Sequence, residues 1–142
     1  MAIVLDASAG LSLLVASQAT AASEAFRASA ASEELLAPSV FRFEMRHALI
    51  KLERGALVSP AALDVDLPAL ESVVTVTPAP SDLELAGISA LARAEGLGLY
   101  DAAYLILAIA RAGTLASRDF ALLDAAKSQI ANRHPDTRTI CC

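Results

Sequence analysis

Short apolar runs alternate with longer, helically spaced ones along the whole chain. The short runs are "AIVL" at residues 2–5, "ELLAPS" at 34–39, "SVVTVTP" at 72–78, "TLAS" at 114–117 and "TRTI" at 137–140. Each is too short for a helix and is bounded by polar residues, glycine or proline, so each predicts a strand. Between them, "SAGLSLLVAS" at 8–17 predicts a helix with Ser8 as its N-cap, and "TAASEAFRASAASE" at 20–33 predicts an alanine-rich second one. "VFRFEMRHALIKLERG" predicts a third from about Val40 to Arg54, begun behind Pro38 and stopped by Gly55. "SPAALDVDLPAL" at 59–70 reads as a helical stretch broken at Pro68. "SDLELAGISALARAEG" at 81–96 has a serine cap, acids in its first turn and a glycine stop; "DAAYLILAIARAG" at 101–113 and "DFALLDAAKSQIA" at 119–131 follow. Strands alternating with helices predict an α/β/α sandwich, a mainly parallel sheet of about four to five short strands with helices on both faces. No repeat, low-complexity tract or linker interrupts the pattern, so one domain is expected over residues 1–142, with a polar tail from about residue 132.

Composition narrows the setting. Of the 142 residues 56% are hydrophobic and the mean hydropathy is +0.53, much of it from alanine, which favours close-packed helices. The longest unbroken apolar run, Ala102 to Ala110, falls well short of the roughly 20 residues that span a bilayer. The beginning, "MAIVLDASAG", lacks a basic segment and meets Asp6 early, unlike a signal peptide, so a cytoplasmic protein without membrane attachment is expected. Adjacent Cys141 and Cys142 lack the spacing of a zinc site or an ordinary disulfide and read as part of a frayed tail. The apolar fraction exceeds what a lone domain of this size needs to hide, which points to a homodimer built on alanine-rich helix faces.

The net charge of −5, from 16 acids and 11 bases, excludes a protein that coats nucleic acid through a broad positive surface. It does not exclude one that handles nucleic acid through cations held by carboxylates. In an open parallel sheet, ligands bind beyond the carboxyl ends of the strands. Asp6 directly follows the first strand, Asp119 lies just beyond "TLAS", Asp101 opens the helix leading into that strand, and Glu44 lies early in the helix behind Pro38. Each has an alternative: Asp101 and Asp119 as helix caps, Asp6 as a turn residue, Glu44 as helix charge. Together at one sheet edge the four would repel one another, and a hard divalent cation with oxygen ligands, Mg²⁺ or Mn²⁺, would relieve that repulsion. With two histidines and two terminal cysteines, no Ser-His-Asp or Cys-His arrangement competes. Arg42 and Arg46, with Lys51, Arg54 and Arg118, are the cations available to a phosphate backbone, or else solvated helix charge. The absence of tryptophan and the few aromatics argue against base stacking as the main recognition mode.

The segments "IVLDASAGLSLL", "APSVFRFEMRHAL", "GLGLYDAAYLILA" and "GTLASRDFALL" resemble, in order and spacing, the four signature segments of PIN-domain ribonucleases, and most of all the VapC toxins of bacterial toxin–antitoxin pairs. The likeness runs from Ile3 to about Ala126. It implies a metal-dependent RNA endonuclease whose acidic quartet, both metal-binding and catalytic, is Asp6, Glu44, Asp101 and Asp119, with Mg²⁺ as cofactor and Mn²⁺ as substitute. Ser8 falls where the family commonly has a hydroxyl, and Ser117 where it usually has threonine. His47 stands where asparagine often follows the glutamate and shares the Glu44 face of its helix. His134 reads as a surface residue. The resemblance further implies an RNA substrate, a homodimer and a VapB-like antitoxin whose amphipathic helix would lie near Phe41 and Phe43. The alternatives are a non-catalytic Mg²⁺-binding module akin to a phosphoacceptor receiver, or a PIN domain kept only for protein binding. A receiver typically has adjacent acids after its first strand and a lysine after a late one. "LDAS" and "LASRD" have neither.

Overall fold

The computed structural model describes residues 2–15, 20–133 and 136–142. Five strands, β1 (Ala2–Leu5), β2 (Glu34–Ala37), β3 (Val74–Val76), β4 (Thr114–Ser117) and β5 (Arg138–Cys141), form one sheet in the order β3-β2-β1-β4-β5. Every pairing is parallel. Short strands suffice because β1, β2 and β4 are buried almost along their length, with Val4, Leu5, Leu36, Ala37, Leu115 and Ala116 fully enclosed. Central parallel strands are covered on both faces, which is why they read as continuous apolar runs.

The flanking helices are α1 (Ala7–Leu14), α2 (Ala21–Ala30), α3 (Phe41–Arg54), α4 (Leu67–Glu71), α5 (Asp82–Glu95), α6 (Leu99–Ala110) and α7 (Phe120–Arg133). Phe26, Phe41, Met45, Leu49, Tyr104, Leu105 and Leu122 carry the helical side of the core. α5 is bounded as its sequence predicts. Ser81 and Glu84 form a reciprocal capping box, with the Glu84 N–H donating to Ser81 Oγ at 3.2 Å and the Ser81 N–H to Glu84 Oε2 at 2.9 Å. Gly96, at φ 64°, ends the helix in the left-handed region. α5 packs chiefly on α6 and buries only Ile88 among its own residues, so the pair stands as an outer hairpin.

Three expectations are corrected. Asp6, not Ser8, caps α1: its carboxylate accepts from the Ala9 N–H at 2.8 Å, because the helix starts immediately after the strand. Pro68 does not break its helical stretch. A π-helical turn, Ala62–Asp66, precedes it, and the Leu67 N–H reaches back to the Ala62 carbonyl, so the helix has already widened before the residue that cannot donate. The terminal cysteines are not a frayed end: the strand predicted at "TRTI" forms and runs on through Cys141. Residues 138–141 are β5, paired with β4, and Cys142 is 2% exposed, its N–H directed to the Ser117 carbonyl at 3.4 Å. Burial pushes the Cys142 thiol up to about 12. His134 and the end of the expected first helix, residues 16 and 17, lie outside the described residues.

Gly113 joins α6 to β4 where the chain passes under the first residue of β1. A Cβ there would sit 2.8 Å from the Ala2 carbonyl oxygen, a backbone atom that cannot turn aside. Gly113→Ala should therefore cost about 1–3 kcal/mol of stability. Thermal denaturation checks this, and an unchanged midpoint would show that β1 and β4 can part without loss.

Candidate functional site

The chain lays β2 and β3 outward on one side of β1 and then returns to place β4 on the other, so the crevice beyond the carboxyl ends of β1 and β4 is the topological switch point of the sheet. Two tight turns line it, residues 6–8 between β1 and α1 and residues 117–119 between β4 and α7. Asp6 sits at the bottom, 6% exposed, its own N–H bonded to the Ala116 carbonyl at 3.2 Å. Its Oδ1 accepts from Ser8 Oγ at 2.6 Å and from the Ala9 N–H at 2.8 Å, and its Oδ2 accepts from Ser117 Oγ. Each hydroxyl in turn accepts a backbone N–H of the opposite turn or its own: Arg118 to Ser8 Oγ at 2.8 Å and Asp119 to Ser117 Oγ at 2.9 Å. A hydroxyl has one proton to give, and both serines give it to Asp6.

The other three acids are arranged around this clasp. Asp101 lies in the first turn of α6, whose N-cap is Gly98, so Asp101 is not the capping residue. Asp119 does cap: its Oδ1 accepts from the N–H groups of Ala121 at 2.9 Å and Leu122 at 3.2 Å, at an exposed position. Glu44 is in the first turn of α3, where its Oε1 is buried without a hydrogen-bond partner. The Tyr104 hydroxyl, three residues beyond Asp101, is buried and likewise unbonded, yet the two groups lie close enough to perturb each other's proton affinity. They are neighbours short of hydrogen-bonding geometry.

Electrostatics ties the four together. Burial raises the Asp6 pKa against the opposing hydrogen bonds from Ser117, Ser8 and Ala9, and Asp119 adds to the rise. Burial also raises Glu44, with further contributions from Asp101 and Asp6, opposed by Tyr104 and, weakly, by His47. Asp101 is raised by burial and then by Asp119 and Asp6. The charges thus feel one another although, among the described residues, no three acid, histidine or cysteine side chains converge closely enough to coordinate one ion. The donor chemistry fits a hard divalent cation: four carboxylates, one with a buried, unsatisfied oxygen, and no sulfur or imidazole within the group.

His47 is exposed on α3, at the margin of the site. Of the arginines expected to face phosphate, Arg46 is fully engaged and Arg42 only in part. Arg46 grips both oxygens of Glu71, through Nη1 to Oε1 and through Nη2 to Oε2 at 3.0 Å, and Arg42 Nε stands 3.5 Å from Glu71 Oε2. Lys51 and Arg54 are exposed farther along α3. Phe41 is fully buried in the core and cannot line a surface groove, whereas Phe43 is exposed. Neither Tyr104 nor Glu71 stands out in the sequence. Tyr104 lies inside an apolar run, and the only signal is that it follows Asp101 by one helical turn.

Because Asp6, Glu44 and Asp101 have raised pKa values, the metal-free folded protein binds more protons than the unfolded chain at pH values between the ordinary carboxylate range and the raised values. Stability contributed by these groups should therefore rise as the pH falls from neutrality through that window. Asp101→Asn, which removes one repelling charge, should raise the melting temperature of the metal-free protein at pH 7 by a few degrees. Calorimetry across pH tests both, and a variant melting at or below the parent would contradict the mutual repulsion.

The sequence profile of the PIN domain matches residues 3–128. No curated protein matches the chain. Among solved structures, the chain is similar to PAE2754 from Pyrobaculum aerophilum, at 26% identity and a TM-score of 0.69, over 88% of this chain and 84% of that one. PIN domains are typically nucleases and usually bind divalent metal ions. With a five-stranded parallel sheet, an acidic crevice at its switch point and a profile match over most of its length, the chain belongs to the PIN domain family.

Proposed function

We propose that the chain is a metal-dependent endoribonuclease that hydrolyses RNA phosphodiester bonds and serves as the toxin of a VapBC-type toxin–antitoxin pair. The observation that supports the nuclease reading is the hydrogen-bond chain from Asp6 through Ser117 to Asp119 at the switch point of the sheet, with Glu44 and Asp101 near enough to feel the charge of other acids there. Asp6 and Asp101 would hold Mg²⁺ or Mn²⁺ directly, with Asp119 completing the shell and Glu44 beside it. When bound, such a cation supplies an activated water near neutral pH and charge relief at the phosphate.

The residues of the chain do the positioning. Ser8 and the Ala9 N–H occupy Asp6 Oδ1, while Oδ2 takes only Ser117, which leaves Oδ2 the freer oxygen for a ligand. Helix capping fixes Asp119 through Oδ1. Glu44, with its buried Oε1 left without a partner, is the group suited to orient the attacking water. Asp6→Asn and Asp101→Asn keep shape and remove ligand charge, so each should lower Mg²⁺-supported cleavage of single-stranded RNA at least about 100-fold with the fold intact by circular dichroism. Full cleavage by either variant, or by the parent in EDTA, would overturn the mechanism.

The toxin assignment rests on the likeness of the four sequence segments to VapC toxins. It is supported by an open apolar groove of about 780 Å³ between α5, α6 and the turns at 38–40 and 77–81, lined in part by Leu85, Ile88, Leu99, Tyr100 and Ile106. With Leu83 84% exposed beside it, this outer hairpin is the surface suited to a second copy or to an amphipathic antitoxin helix. Light scattering at micromolar concentration should give twice the chain mass, falling to one in Leu83→Glu/Leu85→Glu. A monomeric parent with full activity would remove the dimer.

A further inference from the structure

We propose that the pocket formed by Ser39, Arg42, Phe43, Arg46, Val76 and Thr77 is a nucleotide subsite, in which Phe43 stacks on an RNA base and Arg42 meets a neighbouring phosphate. This rests on the ribonuclease reading above and names how that site would hold its substrate. The pocket, of about 430 Å³, lies beyond β2 and β3, on the same carboxyl edge of the sheet as the acids. Phe43 directly precedes Glu44 on α3 and is 79% exposed, although a phenyl ring gains nothing from water. Its neighbours are cationic. Arg42 and Arg46 lie one turn apart on one face of α3, and Glu71 neutralises only one of their two charges.

The two arginines are unequal. Arg46 is spent on both Glu71 oxygens and on the Arg42 carbonyl at 2.9 Å. Arg42 meets Glu71 through Nε alone, at 3.5 Å, with its side chain 59% exposed. Glu71 therefore steadies Arg42 without satisfying it, and Arg42 is the residue with donors to offer an anion. No side chain caps the N-terminus of α3, which opens beside Ser39 and adds its partial positive charge. An aromatic face beside a fixed cation and a helix N-terminus matches a single-stranded nucleotide, whose base stacks and whose phosphate is paired. A peptide carboxylate would use the cation and leave the ring idle.

Binding of labelled 12-nucleotide oligo(U) and mixed-sequence RNA, followed by anisotropy with Ca²⁺ in place of Mg²⁺, tests this. Phe43→Ala should weaken binding at least about fivefold with an unchanged salt slope, and Phe43→Trp should restore it. Arg42→Gln should weaken binding and flatten the slope of log K against log salt by about 0.7. A single abasic nucleotide in the RNA should reproduce the loss in the parent and add nothing in Phe43→Ala. Parent-like affinity and slope in both variants, alongside Mg²⁺-dependent cleavage by the parent, would overturn the subsite and leave the nuclease reading standing. A parent that neither binds nor cleaves these RNAs would overturn both. Variants that bind RNA normally but lose an acidic peptide would assign the pocket to protein instead.

Discussion

Asp6 is a carboxylate with almost no access to water, and a buried carboxylate has to be supplied with donors. The donors come from the two turns that face each other across the switch point: Ser8 and the Ala9 N–H from one, Ser117 from the other. Because the same serines accept backbone N–H groups from Arg118 and Asp119, the carboxylate stitches the end of β1 to the end of β4. The position of Asp119, the start of α7 and the depth of the crevice all follow from that clasp. A tight polar network of this kind fixes geometry more strictly than apolar packing, since each missing partner leaves a buried group unsatisfied.

Around the clasp the protein holds groups that oppose stability. Three carboxylates are raised by burial, and each feels at least one other acid. Glu44 Oε1 and the Tyr104 hydroxyl add two buried atoms without hydrogen bonds. Native structures keep few such atoms, and keep them where a function needs them. The compensation lies in the apolar layers beneath: the enclosed strands, the buried face of α3 and α6, and the close approach of Gly113 to Ala2. The rigid sheet holds the acids near one another against their repulsion.

A second electrostatic theme runs along α3. Glu44 turns toward the acids, while Arg42 and Arg46, on another face, are tied to Glu71 from α4. The Arg46 pair holds the Glu71 carboxyl below its ordinary range, chiefly through the bidentate hydrogen bonds. One helix therefore serves as a wall between an acidic crevice and a cationic, aromatic pocket, and its first turn contributes to both.

The alternation of short apolar runs with helical ones determined the parallel sandwich, because period and length are local properties that burial only confirms. The caps of α5 were equally local, Ser81, Glu84 and Gly96 acting within a turn of where they stand. The candidacy of Asp6, Glu44, Asp101 and Asp119 was legible for a related reason: the rule that parallel sheets gather ligands at their carboxyl ends turns sequence position into spatial position. What sequence could not decide was every matter of which partner meets which. Ser8 looked like a cap and instead holds Asp6; Arg42 and Arg46 looked free, and Glu71, 25 residues beyond Arg46, engages them. Phe41 and Phe43 are two residues apart and equally apolar, yet one is in the core and the other in water, because only the packing of α3 against α1 sets which face turns inward. The strand at "TRTI" was legible, but the two cysteines after it looked frayed and are held at the sheet's edge, because pairing with β4 depends on a neighbour rather than on the segment itself. Contacts between segments far apart in sequence are properties of the closed fold, and only the closed fold displays them.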